Sequence, residues 1–480
     1  MTTLALLLLG YVALVLAVGA LATRRAGTSP EEYFLAGRTL GPIVLFMALF
    51  GTNCTPFVMV GIPGRAYHDG LGQFGLNAPI IALIVPLTFW LIGVPARREA
   101  LRLGAVTPAE LYARRLSSNA VGWVLFAVFT AYTVPYMVTG VLGIAVNLAR
   151  ATDGAVTEPV GAAAVLLVAL AYTTLGGMRA TAWTNVVQGT LFLLFMVAAL
   201  VGITHALGGF EAAFDRVRAA DPSLLTLDPK RALFRPGAWT SYALLISLTV
   251  IAFPHMLVRL LAAKDEAALK GAIRLYPVAL VLLWLPAVLL GVFGAAEHPG
   301  LEGAASDGIF AVMIAEHLPA FFSSLGLLAL LASVMSTLDA QILTLGSMLT
   351  RDVVDRVRGD RDDRADVRAG RWFGAIVTTA VFLLAEVCRR SEIAIFDIAR
   401  FAFAGFCTLV PTLLFGVRWG RFDARAAIAS IVAGNAVLGL AEADLLPPSP
   451  FQPVFWGFSA SLAVALGLGV VGRRPVGTGG

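Results

Sequence analysis

Charge is what this chain has least of. Only 14% of its 480 residues are Asp, Glu, Lys or Arg, against roughly a quarter in soluble domains, and mean hydropathy is +0.84. A soluble globular fold is excluded. Cysteine is nearly absent: Cys54, Cys388 and Cys407 lie in or at the ends of apolar stretches, so no disulfide framework is implied. Five histidines (His68, His205, His255, His298, His317) are scattered without a ligand spacing such as H-E-x-x-H. No acid, base and nucleophile set converges either, so an integral-membrane enzyme is not expected. Lysine supplies only 3 of the 35 basic residues, a bias that points to a GC-rich bacterial genome.

What the chain has instead is apolar length. The first stretch, Leu4 to Leu21, lacks the basic start and small-residue cleavage site of a signal peptide and is kept as a helix. At about 20 residues per crossing the sequence predicts thirteen helices. They cover roughly 3–22, 41–63, 73–95, 119–148, 159–175, 182–206, 237–261, 272–296, 321–349, 372–388, 396–417, 424–441 and 452–471. Alternate loops then separate by charge. Those on one side hold 25 of the 35 basic residues, with Arg259 counted among them, and the positive-inside rule makes that side cytoplasmic. The N-terminus is therefore expected outside and the C-terminus inside, in a bacterial cytoplasmic membrane. The mixed Arg and Asp run from Arg351 to Arg371 reads as a solvated cytoplasmic loop and not as a nucleic-acid patch. The external loop 207–236 contains Phe210 to Ala220, with apolar residues at helical spacing, which predicts a short interfacial helix.

Two spans break the apolar pattern. Gly51, Asn53, Thr55, Pro56 and Gly61 interrupt a stretch that carries no formal charge from Pro42 to Gly64. Irregular backbone at membrane depth is tolerated only where it lines a site or cavity. A polar span broken by Pro and Gly is the best pointer to a transporter binding site. The second span is Leu331 to Thr350. At 100° per residue, Ser333, Ser336, Thr337, Ala340 and Thr344 share one face, with Asp339 at its edge. Hydroxyls there can bond back to their own helix. A carboxylate at membrane depth, however, usually faces a partner, a cavity or an ion. A hard monovalent cation wants an all-oxygen shell, and free carbonyls of a broken helix complement a hydroxyl stripe.

At this point the residues resemble the sodium/solute symporter family, whose members carry sugars, proline, pantothenate, sialic acid and monocarboxylates. The matching pieces are E-Y-F-L-A-G-R-T-L (Glu32 to Leu40), G-I-P-G-R-A-Y (Gly61 to Tyr67) and Y-T-T-L-G-G-M-R-A-T-A-W-T-N-V-V-Q-G (Tyr172 to Gly189). P-H-M-L-V-R-L-L-A-A-K-D (Pro254 to Asp265), S-V-M-S-T-L-D (Ser333 to Asp339) and A-G-F-C-T-L-V-P (Ala404 to Pro411) complete the set, in family order over most of the chain. The resemblance implies an all-α, LeuT-like fold. Two inverted five-helix repeats would span 41–206 and 237–417, after one extra helix and its loop (1–40) and before two C-terminal helices and a tail (418–480). It also implies a sodium site made by backbone carbonyls of Gly51, Cys54 and Ser333 with the hydroxyls of Ser336 and Thr337. One departure stands out. Where many relatives have W-T-D, this chain has Trp183-Thr184-Asn185, so the acidic residue tied to sodium there is missing. Asp339 on the other helix offers a carboxylate in its place. Asn185 and Asp339 are therefore expected to form a second cation site, to host a proton, or to hydrogen-bond each other.

The solute is expected near the midplane, against Asn53, Thr55, Tyr136, Phe253, His255, Phe403 and Phe406. Each aromatic can equally be packing, and His255 can be a satisfied helix-start histidine. The P-H-x-x-x-R pattern resembles the proline, pantothenate and monocarboxylate branches more than the sugar branch, which favours a small carboxylate-bearing solute. The expected function is sodium-coupled import by a monomer, with no nucleic-acid partner. A proton-coupled carrier of the same fold is the main alternative, and a transporter-like sensor the lesser one.

Overall fold

The computed structural model describes residues 2–23, 29–54, 57–228, 230–355, 363–391 and 395–471. Among these the chain is helical throughout, with a lone β-bridge joining Leu40 to Ala263. Ten helices are long and apolar enough to cross a membrane, and two bent helix pairs bring the number to as many as 12.

The longest helix, Glu158–Ala206, has 49 residues. At 1.5 Å per residue it would measure about 74 Å, more than twice the hydrocarbon thickness. It is divided where the sequence divides it. Gly177 has φ 56° and ψ −149°, a conformation open to glycine, and a Cβ there would lie 2.3 Å from the Tyr33 carbonyl oxygen. A helix break frees carbonyls one turn upstream. The Tyr33 hydroxyl takes two of them, donating to Thr173 O at 3.2 Å and Thr174 O at 3.1 Å.

The first bent pair is Pro42–Asn53 with Phe57–Asp69, meeting at 59°. Pro42 starts the helix, where a missing N–H is harmless. The segment ends as Cys54 N–H bonds Phe50 O at 3.0 Å. The second pair is Pro236–Ala252 with Pro254–Leu261, bent by 47°. Here proline sets the break: it pushes the preceding residue out of the helical region, and Phe253 is extended (φ −63°, ψ 121°) before Pro254 restarts the helix.

The Ala320–Met348 helix packs on Glu158–Ala206 and on Pro42–Asn53, so the hydroxyl stripe faces the first broken helix. Glu266–Glu297 packs on both halves of that broken helix. One approach needs glycine: a Cβ on Gly291 would sit 2.2 Å from the Pro63 carbonyl oxygen. Basic side chains close the C-terminal end of Pro254–Leu261, as its dipole favours. Arg38 donates to Leu261 O (3.1 Å) and Ala105 O (2.7 Å), and Arg97 to Ala263 O (3.0 Å) and Lys264 O (2.7 Å).

Two expectations need correction. The Arg351–Arg371 run is not wholly solvated. Arg351 is buried and pairs with Asp355 at 2.9 Å, Glu110 at 3.2 Å and Asp366 at 3.5 Å, because the span continues to Val354 and packs against neighbouring helices; residues 356–362 lie outside the described residues. Arg259 is likewise not a loop charge. It sits in the short half-helix with no exposure at all.

Candidate functional site

The hydroxyl stripe and the first broken helix meet through oxygens. Ser336 Oγ donates to Gly51 O at 2.8 Å and to its own helix at Ser333 O, also 2.8 Å. Thr337 Oγ1 donates to Thr52 O at 3.0 Å and Ser333 O at 3.3 Å. Thr52 Oγ1 reaches Ser336 O at 3.2 Å. Ser333 Oγ and Asn185 Oδ1 are buried and have no protein partner. Hydroxyls that donate to carbonyls can turn and offer lone pairs instead. The cluster is thus an all-oxygen, uncharged cradle of the kind a hard cation binds.

This brings together Gly51, Ser333, Ser336, Thr337 and Asn185 from the sequence expectation. Thr52, not named from sequence, supplies a carbonyl and a hydroxyl; its signal was its position between Gly51 and Asn53 in the interrupted stretch. Cys54 lies at the helix end with its side chain buried.

Asp339 does not join Asn185. The Asn185 amide donates to Thr52 Oγ1 at 2.9 Å and Ser336 O at 3.2 Å. Asp339 has other partners. Arg259 Nη2 approaches Oδ1 at 3.3 Å, while the hydroxyls of Tyr172 (3.1 Å) and Thr184 (3.4 Å) donate to Oδ2. Neither Arg259 nor Asp339 is exposed at all. The expected Asp339–Asn185 hydrogen bond is therefore corrected: each side chain has other partners, and the carboxylate pairs with a guanidinium. Arg259 was legible as a charge inside an apolar run, four residues after His255, by the logic applied to Asp339.

Beside the cradle is a cavity of about 510 Å³, its open mouth included. Asn53, Tyr136, Phe253 and Phe403 line it as expected, together with Cys54, Thr249 and Trp284. The remaining lining is apolar, and among the described residues no charged side chain faces it. Thr249 spends its hydroxyl on Leu245 O (2.5 Å) and Phe403 O (3.0 Å). His255 and Phe406 are not in the wall. His255 stacks on Phe253 with ring centroids 5.1 Å apart, and Phe406 meets Phe253 edge-on at 5.1 Å. Both are fully buried, and neither His255 ring nitrogen has a protein partner. Thr55 lies outside the described residues.

A cavity at membrane depth, walled by two broken helices and adjoining an oxygen cradle, defines a secondary transporter. The comparisons with known proteins make the class specific. Residues 33–434 match the model of the sodium:solute symporter family, and the chain belongs to that family: it is a sodium-coupled solute symporter and not an enzyme. It is 28% identical to the sodium/pantothenate symporter of Escherichia coli (strain K12), over 97% of this chain and 95% of that protein. It is 25% identical to the sodium/proline symporter of the same organism, over 84% and 81%. Its fold is that of a Na+-coupled sialic acid symporter solved in a substrate-bound outward-open state, with a TM-score of 0.82, 98% of each chain covered and 16% identity.

Proposed function

We propose that this chain imports a small carboxylate-bearing solute, of the amino acid, monocarboxylate or pantothenate kind, with sodium and by alternating access. The observation that carries the reading is that one short segment serves both ligands. Gly51 and Thr52 give their carbonyls to the cradle, while Asn53 and Cys54 line the cavity. Sodium in the cradle fixes the end of the broken helix and so shapes the wall the solute meets, which is a coupling free energy between two sites.

A carboxylate suits the cavity although no basic side chain lines it. The Pro254–Leu261 helix starts beside Phe253 in the cavity wall, and the positive end of a half-helix favours an anion. The relatives named for pantothenate and proline both act on carboxylates. The cradle is assigned Gly51, Thr52, Cys54, Ser333, Ser336, Thr337 and Asn185; the solute site is assigned Asn53, Thr55, Tyr136, Phe253 and Phe403, backed by His255 and Phe406. The finer architecture proposed is thirteen crossings, with the N-terminus outside and the C-terminus inside the bacterial cytoplasmic membrane. Inverted repeats over 41–206 and 237–417 are supported by the breaks, since each repeat begins on a bent pair. A working monomer is part of the proposal.

The test is competition for uptake in proteoliposomes by carboxylates, amino acids and sugars, under a fixed inward sodium gradient. Inhibition confined to carboxylate-bearing compounds is expected. Inhibition by sugars alone would overturn the substrate class.

A further inference from the structure

Two buried charges of this transporter, Arg259 and Asp339, cancel each other inside the protein, which bears on how many cations it carries. Asp339 and Arg259 form an ion pair between two fully buried side chains. The other groups on the carboxylate, the hydroxyls of Tyr172 and Thr184, both donate to it. The two hydroxyls can turn away, since they also reach Met335 O (3.3 Å) and Thr181 O (3.0 Å), but the guanidinium cannot: it is a fixed donor carrying the charge a sodium ion would bring. The cradle at Ser333, Ser336 and Thr337 is the opposite case: oxygens from two helices with, among the described residues, no carboxylate and no cation bonded to them.

We propose that Arg259 is a built-in counter-cation for Asp339, so that the chain binds a single sodium ion, in the uncharged cradle. The inference rests on the proposed cradle and deepens it by fixing the number of coupling ions. Arg259 is then a specificity-determining residue: it neutralises with a tethered charge a carboxylate that a second transported cation would otherwise occupy. The geometry has a further consequence. Arg259 Nε and Nη1 have no protein partner, so the guanidinium holds Asp339 through one N–H rather than the two-pronged fork that strong arginine pairs form. Charge, more than geometry, is what it contributes.

Equilibrium binding of radiolabelled sodium to the purified full chain counts the ions. The wild type is expected to bind one per chain. The neutral double variant Arg259→Gln/Asp339→Asn removes both charges together and is expected still to bind one, with affinity within about threefold of wild type, under 0.7 kcal/mol. Arg259→Gln alone leaves the Asp339 carboxylate without its tethered cation and is expected to gain a second sodium, which adding Asp339→Asn abolishes. Two ions on the wild type, or loss of an ion from the double variant, would overturn the inference while leaving the cradle in place. A folded Arg259→Gln chain that still binds one ion would overturn the role of Arg259. No sodium binding at all would sink the cradle and the inference together.

Discussion

Arg259 Nη2 lies 3.3 Å from Asp339 Oδ1, and both side chains are wholly excluded from solvent. The pair ties the half-helix Pro254–Leu261, from the second broken span, to the Ala320–Met348 helix that carries the hydroxyl stripe. Removing one partner of such a pair leaves an uncompensated buried charge, whereas removing both does not. The half-helix that starts beside the cavity wall and the helix that carries the hydroxyl stripe are therefore joined by an interaction that tolerates neutral replacement better than half-replacement.

A double-mutant cycle checks this. Arg259→Gln and Asp339→Asn singly are each expected to destabilise the detergent-purified protein by about 3–5 kcal/mol. The double variant is expected to recover at least half of that, because groups in contact are non-additive. Melting curves followed by tryptophan fluorescence supply the readout. Additive losses would mean that the two charges do not compensate each other.

Cation affinity should depend on the hydroxyls. Ser336→Ala and Thr337→Ala each remove one oxygen from the cradle. Each is expected to raise the sodium concentration for half-maximal uptake by about tenfold, close to 1.4 kcal/mol, with membrane insertion intact. Unchanged sodium dependence in both would place the cation elsewhere.

Asn53 is the cavity-lining side chain with the most hydrogen-bonding capacity at the end of the broken helix. Asn53→Ala is expected to raise the solute KM by about three- to tenfold, the worth of one hydrogen bond of about 0.5–1.5 kcal/mol. The maximal rate at saturating solute should change less. A KM equal to wild type would remove Asn53 from the solute site.

Gly177 makes a stability prediction independent of transport. A methyl there meets the Tyr33 carbonyl oxygen at 2.3 Å and an unfavourable φ of +56°. Gly177→Ala is expected to cost about 1–3 kcal/mol from the backbone alone, since φ 56° with ψ −149° is a region essentially reserved for glycine, read as a lowered melting temperature. Gly154 is a control, with φ +79° but open space around it, so its alanine variant should lose less.

Much of this was legible in the residues. Apolar length gave the helices, and even the division of the 49-residue helix followed from Tyr172 to Gly189, where Gly176-Gly177 interrupts the run. The hydroxyl stripe was readable because a helix period of 3.6 brings Ser333, Ser336 and Thr337 to one face. Pairing was not readable. Asn185 and Asp339 invited a pairing on charge alone, yet Asn185 turns to Thr52 and Ser336, since the rotation of one helix against another is set by packing from several partners at once. Arg259 is a different case: it lies inside the predicted span 237–261, so the rule applied to Asp339 marks it as buried, and counting it with the loop charges overrides that signal. His255 and Phe406 were drawn to the site by residue type, but the wall position went to Phe253 and left them packed against it.

The measurement that reaches the central claim most directly is solute accumulation in proteoliposomes at equal pH on both sides, with and without an inward sodium gradient. Residues 51–54 are held to link a sodium cradle to a solute cavity. Uptake should therefore rise above the equilibrium level only when sodium is higher outside, collapse when potassium replaces sodium, and lose much of its sodium response in Ser336→Ala/Thr337→Ala. Accumulation that proceeds equally without sodium and follows an imposed proton gradient would contradict the account.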